Sequence, residues 1–73
     1  MTGKVRSMPE GKNFGFIECA QGRDYFFHRE DFNGFWNDLL TDFRKGKAVL
    51  VEFTSEETAK GLRAKEVRRT DGL

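Results

Sequence analysis

Through the first half of the chain, hydrophobic and polar positions alternate with the period of two that marks strands lying on a core. A short stretch at residues 4–8, centred on Val5 and flanked by Gly3 and Pro9, predicts a first strand ended by a turn at Pro9, Glu10 and Gly11. In Phe14–Cys19 the residues Phe14, Phe16 and Glu18 fall on one face, and Gly15, Ile17 and Cys19 on the other. Gln21, Gly22 and Arg23 read as a hairpin turn. A third strand follows at Asp24–His28, with Tyr25 and Phe27 opposed to Asp24, Phe26 and His28.

The period then changes. Between residues 33 and 44, Phe35, Trp36, Leu39, Leu40 and Phe43 recur at spacings of three and four, which predicts a short helix with one apolar face. Asn33 is the expected N-cap and Gly46 the expected stop. Alternation returns at 47–53, with Val49, Val51 and Phe53 on one face. Residues 54–60 are polar and run to Gly61, so they read as a long exposed loop, and 62–69 as a weak, basic last strand before a frayed tail at 70–73. Three close strands, a helical connection and two more strands suit an all-β, five-stranded antiparallel barrel of the OB type, because closure removes the exposed edges of a small sheet. The chain is read as a single domain over 1–73.

Composition narrows the function. Ten rings (eight Phe, one Tyr, one Trp) occupy a chain of 73 residues that is only 37% hydrophobic. A small core houses that many rings with difficulty, and exposed ones call for a reason. A net charge of +1 is no signature of nucleic-acid binding by itself, so the positions of the cations matter more than their number. One cysteine, Cys19, allows no internal disulfide, and with a single histidine it makes no zinc site, so no cofactor or metal is expected. A free thiol fits a reducing cytoplasm. The beginning of the chain lacks the apolar run of a signal peptide, and no stretch has the length of a membrane span.

Paired as an antiparallel hairpin, the two central strands bring Phe14, Phe16, Phe26 and His28 to one face, at about 4.8 Å between strands and 7 Å along them. That spacing resembles the rise of extended bases, and each stacked base is worth about 1–3 kcal/mol whatever its identity. Arg6, Lys12 and Arg29 lie at the strand ends, where phosphates would pass. The competing reading makes these rings core. Ile17, Tyr25 and Phe27 already furnish an apolar opposite face, and both faces of one layer cannot point inward; pattern alone leaves platform and core open.

At this level the chain resembles a cold-shock domain. The residues that carry the likeness are Gly3-Lys4-Val5-Arg6, Lys12-Asn13-Phe14-Gly15-Phe16-Ile17 and Asp24-Tyr25-Phe26-Phe27-His28. The family patterns are Lys-Gly-Phe-Gly-Phe-Ile and Val-Phe-Val-His-Phe. Near the end, Lys60-Gly61-Leu62-Arg63-Ala64-Lys65-Glu66-Val67 is similar to the family's Lys/Arg-Gly-Pro-Gln-Ala-x-Asn-Val. The resemblance spans nearly the whole chain apart from residues 33–44. It implies single-stranded RNA or DNA as partner, with roles such as RNA chaperone or regulator of gene expression. By the same resemblance Phe14, Phe16, Phe26 and His28 stack bases, and Lys12 and Arg6 contact backbone or bases. Asp24 contacts a base edge, Lys60 reaches ligand from its loop, and Gly34-Phe35 matches a loop ring that stacks a further base.

The departures bear on affinity. The family's Lys-Trp-Phe-Asn is replaced by Arg6-Ser7-Met8-Pro9, so a stacking tryptophan becomes Ser7. Arg29 stands where a phenylalanine is usual, and its guanidinium offers stacking or phosphate pairing in exchange. Asn13 stands for a glycine, a change suited to a turn needing positive φ. For Leu39, Leu40 and Phe43 the favoured reading is a helical face packed over the barrel's end; for Phe35 and Trp36, packing and ligand contact stay open. Glu30 and Asp31 read as a solvated turn, the Glu56-Glu57 pair as a solvated loop and Arg68-Arg69 as a solvated tail. A second function class is a protein-interaction module that uses the apolar helix over 35–43. No nucleophile, carboxylate pair or phosphate loop supports an enzyme, and no small-molecule substrate is expected. The family precedent is a monomer, and no membrane partner is expected.

Overall fold

The computed structural model describes residues 1–70. Five strands, β1 (Thr2–Ser7), β2 (Phe14–Cys19), β3 (Asp24–His28), β4 (Leu50–Thr58) and β5 (Gly61–Arg69), close in the order β1-β2-β3-β5-β4. One helix, α1 (Trp36–Arg44), lies between β3 and β4, preceded by a 3-10 turn at Arg29–Asp31. Four of the five pairings are antiparallel, and β3 with β5 is parallel. A closed ring with an odd number of strands cannot alternate direction all the way round, so one parallel seam is unavoidable. It is short: Phe26 pairs with Arg63, and beyond the 3-10 turn Phe32 bridges Val67.

The predicted alternation of β2 and β3 holds. Gly15, Ile17, Cys19, Tyr25 and Phe27 face inward, where they join Val5, Val49, Val51, Phe53, Ala64 and Val67 in the core. Gly15 is an inward position because β1 crosses there. A Cβ on it would lie 2.8 Å from the Ser7 carbonyl oxygen and 2.9 Å from Phe27 Cε1. The register slips at this crossing, so that Arg6 and Ser7 together oppose Phe16, a bulge in β1.

The end of the barrel is closed by α1. Trp36 and Leu39 are buried, Leu40 and Phe43 pack against the core, and the Trp36 ring lies 5.6 Å from Phe27 and 6.3 Å from Phe32. This settles Trp36 as core. The helix starts later than expected: Phe35, not Asn33, is the N-cap, and it caps with no side-chain hydrogen bond. The Asn33 N–H is instead donated to the Val67 carbonyl (2.7 Å), extending the parallel seam. Gly46, at φ 83°, ends the helix as expected, donating its N–H to the Phe43 carbonyl.

Two further expectations are corrected. The polar stretch 54–60 is largely strand: β4 runs on to Thr58 and turns tightly through Ala59 and Lys60 into Gly61. Both faces of this hairpin arm are wet, so its sequence carries no alternation to reveal it. The Thr58 hydroxyl donates to the Gly61 carbonyl at 2.7 Å and accepts from the Lys60 N–H at 3.2 Å, which fixes the turn. Asn13 needs no left-handed backbone; Gly11 takes that conformation (φ 74°), and the Asn13 carbonyl accepts from the Arg29 N–H at 2.7 Å. The expected tail at 70–73 lies outside the described residues except for Thr70, whose N–H is donated to the Leu50 carbonyl.

Candidate nucleic-acid interface

The β2–β3 register places Phe14 opposite His28 and Phe16 opposite Phe26. All four side chains are half-buried on the outer face of the sheet. Three rings touch: Phe14 and Phe26 are 5.4 Å apart and tilted by 32°, while Phe16 stands edge-on to both at 6.0 Å. The expected row of separate flat platforms is therefore a mutually supporting trio, whose edge-to-face contacts hold each ring in place. The His28 Nδ1 accepts from the Glu30 N–H at 3.1 Å, so the neutral ring carries its proton on Nε2, a donor free to meet a ligand.

Two guanidinium groups flank the trio. Arg6, from the β1 bulge, lies over Phe16 with Cζ 5.9 Å from the ring centre, and Asp24 holds it through Nε–Oδ1 (3.0 Å) and Nη2–Oδ2 (2.9 Å). Both were expected to reach ligand independently, and the structure pairs them. Across the β3–β5 seam, Arg63 lies over Phe26, also at 5.9 Å. Its Nε and Nη2 donate to the Asp31 carboxylate at 3.0 and 3.3 Å. Asp31 is buried and also accepts from the His28 backbone N–H at 2.9 Å, so it is not the solvated acid that the turn suggested. Burial pushes its carboxyl up. The His28 N–H, the Arg63 hydrogen bond and the Arg63 and Lys65 charges outweigh that and leave it below the ordinary carboxylate value.

A groove of about 550 Å³ runs beside the rings, between Phe16 and Phe26 on one wall and the β4–β5 turn with Leu62 and Arg63 on the other. Lys60 sits on this turn, exposed above the groove. Lys12 and Arg29 are exposed at the other end of the hairpin, before β2 and after β3. Phe35 is 79% exposed, but on the connection into α1 and not on the sheet. Sequence reasoning missed Arg63, Asp31 and Leu62, since β5 reaches the site only through barrel closure. Arg68 and Arg69, read as a tail, are ion-paired to Glu52 and Asp42. Glu56 lies on β4 beside Lys65, with the charged atoms 3.9 Å apart.

A closed five-stranded barrel whose central strands present rings beside a groove is the architecture of the OB-type oligonucleotide binders. The family model described as the 'Cold-shock' DNA-binding domain matches residues 1–70. The chain belongs to this family, whose members bind nucleic acid and which is not an enzyme family. It is also 40% identical over 58 residues to the retron Se72 cold shock-like protein of Salmonella heidelberg (strain 579083-10), covering 80% of this chain and 81% of that protein.

Proposed function

We propose that this domain binds single-stranded RNA or DNA as a monomer, by stacking successive bases on Phe14, Phe16 and Phe26, with His28 at the edge of the platform. Its place would be the cytoplasm, as an RNA chaperone or a regulator of gene expression. The observation that carries the reading is the outward trio itself: three touching rings left half-exposed while the opposite face of the same strands fills the core. Apolar area stays in water at a cost unless something covers it, and bases cover it without regard to sequence. Lys12, Arg29 and Lys60 are the phosphate contacts of this reading, Asp24 and Arg6 adjust at a base edge, and Phe35 offers an outlying ring.

The protein-interaction alternative has less to work with. Trp36 and Leu39 are buried, and Leu40 and Phe43 pack on the barrel, so the apolar face of α1 is already covered from within. Fluorescence anisotropy with a labelled pyrimidine heptamer tests the main reading. Phe16→Ala and Phe26→Ala should each weaken binding roughly 5- to 150-fold, the equivalent of about 1–3 kcal/mol. The near-ultraviolet circular dichroism of buried Trp36 and Tyr25 should meanwhile stay unchanged. Wild-type affinity in both folded variants overturns the reading.

A further inference from the structure

The two flanking arginines look alike but are held differently. Arg6 and Asp24 are both well exposed, with side-chain accessibilities of 48% and 44%. Arg63 is 33% accessible, and its partner Asp31 only 7%. An exposed pair exchanges readily with water and salt, whereas a buried carboxylate that also accepts from the His28 backbone fixes its guanidinium in place. A guanidinium has two edges able to make paired hydrogen bonds. Asp31 occupies the Nε/Nη2 edge of Arg63. The end-on edge, Nη1 with the second proton of Nη2, is left for another acceptor pair. The side chain lines the groove next to Phe26.

We propose that Arg63 is a base-reading residue that selects guanine at the position stacked on Phe26, through its end-on edge to O6 and N7. This rests on the stacking reading above. Guanine presents two adjacent acceptors, O6 and N7, on one edge, the pattern that an arginine fork matches. Cytosine offers an adjacent pair too, O2 and N3, but on a six-membered ring with no N7. Adenine presents a donor beside N7, and thymine lacks N7. The guanidinium carbon lies 5.9 Å from the Phe26 ring centre, which brings the fork within reach of a base that shares this ring. Asp31 is the positioning residue: it sets the direction of the fork without touching the base. Leu62 and the β4–β5 turn complete the wall against which the base lies.

Competition anisotropy with heptamers that differ at one central base tests this on the folded wild-type chain. A central guanine should bind about 5- to 100-fold more tightly than a central adenine, cytosine or thymine in an all-thymine background. Replacing it by 7-deazaguanine, which stacks alike but lacks the N7 acceptor, should abolish most of that gain. Arg63→Lys keeps the charge and loses the fork, so the ratio of guanine to thymine affinity should fall to near one, whatever the change in overall affinity. Asp31→Asn should erode the same preference, while Arg6→Ala should weaken all heptamers alike. Equal binding of guanine, adenine and 7-deazaguanine heptamers by the wild type overturns the inference and leaves stacking intact. A guanine preference that persists in Arg63→Lys assigns the selection elsewhere and also overturns it. No binding of any heptamer overturns the stacking reading and this inference with it.

Discussion

Asp31 shows how one residue can join the fold to the site. Its carboxylate receives the His28 N–H and the Arg63 fork, so it ties the end of β3 to β5 at the parallel seam. Its carboxyl titrates below the ordinary value of 3.8 in the folded chain, despite the opposing push of burial. A group depressed on folding stabilises the protein above its unfolded pKa and loses that contribution as pH falls through the folded value. Thermal stability should therefore decline on acidification below 3.8, and Asp31→Asn should flatten that part of the profile. Asp42 and Glu52, lowered chiefly by their hydrogen bonds to Arg69 and Arg68, are partly exposed and should leave a residual slope. An unchanged acid limb in Asp31→Asn would show that the pair adds nothing. None of this was visible in the sequence. Asp31 and Arg63 are 32 positions apart, and only the short β3–β5 contact brings them together.

At the scale of elements, legibility followed the water. β2 and β3 have one dry and one wet face, so period two marked their bounds and grouped Phe14, Phe16, Phe26 and His28 on one face, while leaving open whether that face was platform or core. In α1 the spacing of Trp36, Leu39, Leu40 and Phe43 marked the packed face. The far half of β4 is wet on both sides, and there the pattern read as loop. The start of α1 misled for another reason: Asn33 is a good cap by type, but its N–H bond to Val67 holds it in the seam, and Gly34 (φ 147°) and Phe35 separate it from the helix. The helix makes a sharp distinction testable. Leu39→Ala empties a fully buried site and should cost about 2–5 kcal/mol in urea unfolding, and Leu39→Asp should prevent folding. Phe35→Ala, at an exposed position, should change stability by less than about 0.5 kcal/mol. Equal costs at the two sites would contradict the packing of α1 on the barrel.

Taken as a whole molecule, the chain balances 13 basic against 12 acidic residues. Much of that charge is spent in pairs: Arg6 with Asp24, Arg63 with Asp31, Arg68 with Glu52, Arg69 with Asp42. Lys12, Arg29 and Lys60 hold no ion pair among the described residues and surround the ring face. Binding should accordingly depend on salt only moderately. About three neutralised phosphates give a slope of roughly −2 in log affinity against log salt for a single strand. A slope near zero would remove phosphate contacts from the account; one steeper than about −5 would mean that charge, not stacking, dominates. Nothing in the net charge foretold this, because the distribution depends on which acids the fold sets beside which bases.

The central claim is that bases lie on the outer face of β2 and β3. Nuclear magnetic resonance of the domain with a short pyrimidine strand tests it most directly. Intermolecular Overhauser contacts should join base protons to the ring protons of Phe14, Phe16 and Phe26, with ring-current shifts on both partners. If those rings stay silent while the contacts gather on Phe35 and the exposed side of α1, the strand binds elsewhere and the account is wrong.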